Sequence, residues 1–146
     1  MKTYDFYGWE RANVLPINPK YQKVGTPRDL YDLLSNIWCR YSCSSRMRPT
    51  WSEDNKTLGQ CTITSFLVQD IYGGKVYGID FGGGAVHCYN DVNGCVFDLT
   101  SEQFGGKPLV YENNPEQDRE SKLGIADNRE RYSYLVAALD KALGIE

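Results

Sequence analysis

The stretch from residue 59 to residue 74 constrains this chain more than any other. Gly59-Gln60-Cys61 opens it, Thr62-Ile63-Thr64-Ser65-Phe66-Leu67-Val68-Gln69-Asp70-Ile71-Tyr72 follows, and Gly73-Gly74 ends it. Asp70 is its only charged residue. Ile63, Phe66, Leu67 and Ile71 recur at helical spacing, which predicts a short, mostly buried helix with a cysteine in its first turn. That turn carries unpaired N–H groups and the positive end of the helix dipole. A thiol placed there has its thiolate stabilised and becomes a better nucleophile near neutral pH.

A cysteine nucleophile needs a base, and the base needs a group to orient it. His87 is the only histidine, so any imidazole chemistry must use it. Asn93-Gly94 is a strong hairpin signal between two strand-like runs, Ala85 to Asp91 and Cys95 to Thr100. With a two-residue loop, Val92 faces Cys95 and Tyr89 faces Asp98, which makes His87 the diagonal neighbour of Asp98. With a four-residue loop, His87 and Asp98 are direct partners. Both registers put the two side chains on one face, because strand side chains alternate. Asn90, three positions from His87, points the other way, so Asp98 is preferred as the orienter. Gln60 and the backbone N–H of Cys61 are the candidate oxyanion donors. Trp51, Ser52 and Tyr89 are the candidates for lining the substrate approach.

Length and charge narrow the classes. The 146 residues fit one domain, 1–146, with a real core. The net charge of −3, with no basic block, argues against nucleic acid as a partner. No apolar run approaches the roughly 18 residues of a membrane span. Met1 to Phe6 lacks the apolar core of a signal peptide, so the expectation is a soluble, cytoplasmic protein. The five cysteines, an odd number, fit free thiols better than a disulfide framework. Cys39, Cys43, Cys88 and Cys95 invite a zinc reading, but their spacing is not that of paired ligand knuckles; no metal and no cofactor are expected.

Other signals complete an α+β order. Pro16 and Pro19 keep the first 25 residues irregular, with Tyr4, Phe6, Tyr7 and Trp9 as an aromatic arm over the core. Thr26-Pro27-Arg28-Asp29 starts a helix that should run to about Trp38 or Arg40. Residues 41–58 read as loop, Lys75 to Phe81 as a strand, and Gly82-Gly83-Gly84 as a connection without the Lys-Ser/Thr of a phosphate loop. Residues 101 to about 126 read as loop, with a helical turn at Ser101 to Phe104. A capping box at Asp127 to Glu130 opens a last helix with Leu135, Leu139 and Leu143 on one face.

Gly59-Gln60-Cys61, Val68-Gln69-Asp70, Gly73-Gly74, His87-Cys88-Tyr89-Asn90 and Phe97-Asp98-Leu99-Thr100-Ser101-Glu102-Gln103-Phe104 together resemble the YunG-like family of small bacterial proteins, and Arg131-Tyr132 is similar to that family's tail. The Cys, His, Asp order resembles the papain-like superfamily, which includes transglutaminases. There the Cys opens a helix, and the His and Asp sit on adjacent antiparallel strands. The resemblance implies a papain-like/transglutaminase-like core with those roles on Cys61, His87 and Asp98. It departs at Cys88, where an aromatic is expected after the His. The expected function is a thiol enzyme acting on an amide or acyl bond of a peptide, protein or small substrate. The alternative is a binding module that keeps the scaffold without turnover.

Overall fold

A computed structural model of the chain describes residues 2–145. The described residues form four α-helices and one three-stranded sheet: α1 Pro27–Ser35, α2 Cys61–Tyr72, β1 Lys75–Asp80, β2 Val86–Val92, β3 Cys95–Phe97, α3 Arg119–Leu123 and α4 Ala126–Leu143, with short 3-10 turns between them. The order is α+β, as the sequence predicts.

The sheet is antiparallel, in the order β1-β2-β3. Its register is that of the two-residue hairpin: Val92 faces Cys95, Asp91 faces Val96 and Asn90 faces Phe97. Asn93 (φ 53°) and Gly94 (φ 86°) both take the left-handed backbone such a tight turn demands. β3 stops at Phe97, short of Thr100, because the N-terminal segment takes over the pairing. Asp98 N–H donates to the Tyr7 carbonyl at 3.0 Å, in an isolated antiparallel bridge.

α2 lies against one face of the sheet. Ile63, Phe66, Leu67 and Ile71 are all fully buried, the face their spacing predicts. Gly73 ends the helix at φ 83°. The main core joins α2 to Leu30 and Leu34 of α1, Leu135 and Leu139 of α4, and Phe97 and Leu99 after the hairpin. Phe6 from the N-terminal arm is buried there too, with Tyr4 and Trp9 packed beside it, whereas Tyr7 stays half exposed. A smaller cluster, Phe66, Val76 and Cys88, fills the space between α2 and the first two strands.

Three expectations change. α1 starts on the full capping box of Thr26 and Asp29 but ends at Ser35, and Asn36 to Trp38 turn away on bonds to Leu33 and Leu34 carbonyls. A short helix, α3, forms inside the stretch read as loop, capped by the Asp118 carboxylate. α4 begins two residues early, at Ala126 with Ile125 as N-cap, and without a side-chain cap. Asp127 is drawn instead to Ser45 and to the Arg131 guanidinium, so tertiary partners displace the capping box.

Candidate functional site

The N-terminus of α2 sits where β2 begins. Cys61 is the first residue of α2, and its Sγ lies 3.9 Å from the Val86 carbonyl oxygen. Along β2, Cys88 and Asn90 face α2: Cys88 packs with Phe66, and the Asn90 amide donates to the Ser65 carbonyl at 2.9 Å. His87 alternates onto the other face. Because it stands at the strand's start, its ring still opens on the same pocket as Cys61. That pocket has a volume of about 150 Å³ and is walled by Phe81, Phe104 and Met47, with Gln103, Arg46 and Asn128 at its polar side.

His87 Nε2 and Asp98 Oδ2 are 2.6 Å apart, both side chains almost fully buried. Four donors converge on the Asp98 carboxylate. Thr100 gives its backbone N–H and hydroxyl to Oδ1, at 3.1 and 3.3 Å. The Tyr111 hydroxyl gives 2.7 Å to Oδ2, the oxygen that also holds His87. Tyr111 is fixed in turn by stacking on Tyr7, with centroids 3.9 Å apart. Phe104 meets the imidazole edge to face at 4.7 Å. His87 Nδ1 has no hydrogen-bond acceptor among the described residues.

Electrostatics follow from that geometry. The Cys61 thiol is held well below its ordinary pKa, first by its interaction with the Cys88 thiol, against a burial that raises it, and then by the charge of the nearby His87. Cys88 moves the other way, well above the ordinary value, because Cys61 and its own burial both favour the neutral thiol. Burial lowers the His87 pKa, but the charges of Asp98 and Cys61 outweigh it and raise the group to about 10. Both shifts favour the charged forms, a thiolate at Cys61 and an imidazolium at His87. In an imidazolium both nitrogens donate, so Nε2–H serves Asp98 and Nδ1–H remains for the sulfur side.

The other candidate residues lie elsewhere. Gln60 is buried, and its amide donates to the Cys39 carbonyl at 3.1 Å, so the structure does not bring it into the pocket with Cys61 and His87. Trp51 is buried, its indole N–H spent on the Lys56 carbonyl at 3.0 Å. Ser52 is exposed and outside the pocket. Tyr89 is buried beside a separate cavity with Tyr77 and Tyr111. The backbone N–H of Cys61, the first of α2, is the donor left from that set. Thr100, Tyr111, Phe81 and Phe104 were not singled out by sequence reasoning. Asp98-Leu99-Thr100 is a short Asx-like pattern that signals the Thr100 bonds; Tyr111 lies in a polar stretch with no periodicity, and nothing in the sequence marks it.

Among the described residues, no group of three or more His, Cys, Asp or Glu side chains is placed to hold a metal ion. Cys39 points to the Tyr134 hydroxyl at 3.5 Å, whereas Cys43 is buried behind Gly59. No described helix is long and apolar enough to cross a membrane.

The fold and this cluster define a small α+β domain with a cysteine helix laid on an antiparallel sheet. The family described as YunG protein matches residues 26–144, and the chain belongs to that family. It is 34% identical over 109 residues to "Uncharacterized protein YunG" of Bacillus subtilis (strain 168), covering 75% of this chain and 87% of that protein. No solved structure matches the chain significantly.

Proposed function

We propose that this protein is a cysteine-dependent enzyme acting on an amide or related acyl bond, built on a papain-like/transglutaminase-like core and working in the cytoplasm. The observation that carries the reading is the His87 imidazole. One nitrogen is clamped 2.6 Å from Asp98, and the other is unpartnered in a pocket shared with Cys61.

In this reading the Cys61 thiolate attacks the substrate carbonyl and forms a tetrahedral intermediate. The backbone N–H at the start of α2 faces the oxyanion, helped by the positive end of the helix dipole. His87, already an imidazolium, gives its Nδ1 proton to the leaving amine, and an acyl-enzyme remains on sulfur. Neutral His87 then takes a proton from the second nucleophile as that nucleophile attacks the thioester. Asp98 stays ionised and holds the imidazole orientation, while Thr100 and Tyr111 keep Asp98 in place. Hydrolysis, deamidation and acyl transfer share these steps and differ only in the second nucleophile. The substrate is a peptide, a protein side chain or a small acyl donor, entering between Phe81 and Phe104. Neither step needs a cofactor.

An activated acetyl ester tests the reading. The reduced protein should release the phenol in a burst and carry an acetyl group on Cys61 in peptide mass mapping. Cys61→Ser should give no burst, and His87→Ala a much slower one. A protein that acetylates Cys61 no faster than Cys39 or Cys95 contradicts the enzyme and leaves the non-catalytic binding module.

A further inference from the structure

Cys88 is the one thiol that the acyl chemistry does not use and that nonetheless stands against the nucleophile. The Thr62 hydroxyl lies 3.9 Å from Cys61 Sγ and 3.8 Å from Cys88 Sγ, so both sulfurs touch one oxygen. Cys61 also packs on the small apolar cluster that contains Cys88. The two differ in access. Cys61 is half-buried and lines the pocket, whereas Cys88 is 1% exposed and sealed by Phe66 and Val76. A small oxidant therefore reaches Cys61 and not Cys88, and Cys88 has Cys61 as its reachable redox partner. The remaining cysteines are engaged elsewhere: Cys43 behind Gly59, Cys39 at Tyr134, and Cys95 at the hairpin end against the main core.

We infer that Cys61 and Cys88 form a peroxide-driven disulfide site, in which Cys61 is the reactive thiol and Cys88 the resolving one. The inference rests on the proposed nucleophilic character of Cys61 and adds a regulation of that site. In the first step the Cys61 thiolate attacks a peroxide oxygen. The O–O bond breaks, an S–O bond forms, and the second oxygen leaves as hydroxide or alkoxide, taking up a proton. In the second step Cys88 sulfur attacks the Cys61 sulfenic sulfur. An S–S bond forms, the S–O bond breaks, and hydroxide leaves with the Cys88 proton as water. Two thiols lose two electrons in total and the peroxide gains them. The disulfide removes the attacking sulfur, so it blocks acylation until a dithiol reduces it. It also protects Cys61, because a sulfenic acid without a resolving thiol continues to the irreversible sulfinic acid.

Hydrogen peroxide added to the reduced full chain tests this. Non-reducing peptide mapping should recover a Cys61–Cys88 linked pair, and dithiothreitol should restore iodoacetamide labelling of Cys61. Cys88→Ser should instead accumulate sulfinic acid on Cys61 that dithiothreitol does not reverse. The inference is overturned if wild-type Cys61 goes to sulfinic acid with Cys88 still free, if Cys61 pairs with another cysteine, or if Cys61 is not oxidised. Iodoacetamide labelling of the reduced protein separates the two ideas. Fast labelling of Cys61 without the disulfide leaves the nucleophile standing and removes only the resolving role; slow labelling removes both.

Discussion

At the scale of single residues, the protein binds protons differently at Cys61 and His87 from an unfolded chain. His87 is raised from 6.5 to about 10, so its contribution to stability is complete below pH 6.5 and is lost as pH rises towards about 10. Cys61 is lowered from 9.0, so its contribution is present above 9.0 and is lost as pH falls through the folded value. Between 6.5 and 9.0 the two slopes oppose each other wherever both groups titrate, so the wild-type unfolding free energy should change less with pH than that of a variant lacking one of them. Cys61→Ser removes one slope and leaves the Asp98-supported one, so its stability should fall across that range; urea titrations at several pH values check this. Tyr111→Phe tests the clamp itself. It takes one of two donors from Asp98 Oδ2 and should cost about 1.5 to 3 kcal/mol of stability, typical of a hydrogen bond to a charged group. An unchanged denaturation midpoint would show that the phenol is a bystander.

The elements matter here for where they begin. Gly59, two residues before Cys61 and just ahead of the Gln60 N-cap, turns the chain at φ 71° into the start of α2. A Cβ at Gly59 would come 2.5 Å from Cys43 Sγ and 3.0 Å from the Ser44 nitrogen, while its carbonyl accepts from the Ser44 N–H at 2.9 Å. Gly59→Ala therefore combines a left-handed backbone with a clash. It should cost about 2 kcal/mol or more in chemical denaturation and slow Cys61 labelling; a variant as stable and as reactive as wild type would show that this turn does not set the nucleophile. The same elements explain what the sequence disclosed. The apolar period from Ile63 to Ile71, the Thr26 capping box and the Asn93-Gly94 turn are local signals, and local signals decide those elements. The end of β3 was not legible, because Tyr7, at the far N-terminal side of the sequence, replaces β2 as the partner of Asp98. Nor was the α4 start, where Asp127 gives up its capping role to Ser45 and Arg131.

Over the whole molecule, the site depends on segments that the chain order keeps apart. Asp98 is held by Tyr7 at one end of the sequence and Tyr111 towards the other, and these two rings stack on each other. Arg131 of α4, only 2% exposed, ties the wall behind Cys61 together. It donates to the Ser42 carbonyl at 2.8 Å and the Gly59 carbonyl at 3.4 Å, and also bonds Asp127 and Asn128. Arg131→Met should destabilise the protein by about 3 kcal/mol, because those acceptors lose their partner and Asp127 its counter-charge; a thermal midpoint unchanged from wild type would refute that role. This also explains which placements the sequence disclosed. Cys61 at the start of α2 and His87 beside Asp98 were legible because helix position and strand parity are short-range properties. That Gln60, Trp51, Ser52 and Tyr89 lie away from the Cys61–His87 pocket was not legible, because side-chain direction in loops and at caps is set by partners such as the Cys39 and Lys56 carbonyls, which no local pattern reveals.

The central claim is that Cys61 exists as a thiolate paired with His87. Its most direct test is the pH profile of iodoacetamide labelling at Cys61, read by peptide mass mapping on wild type and His87→Ala. An ordinary thiol loses about tenfold in rate for each pH unit below its pKa. The wild type should lose less of its Cys61 labelling rate between pH 8 and pH 6 than His87→Ala does, because His87 holds the thiol pKa down. A Cys61 profile in the wild type that falls about tenfold per pH unit, as an ordinary thiol's does, and that His87→Ala leaves unmoved, would contradict the account.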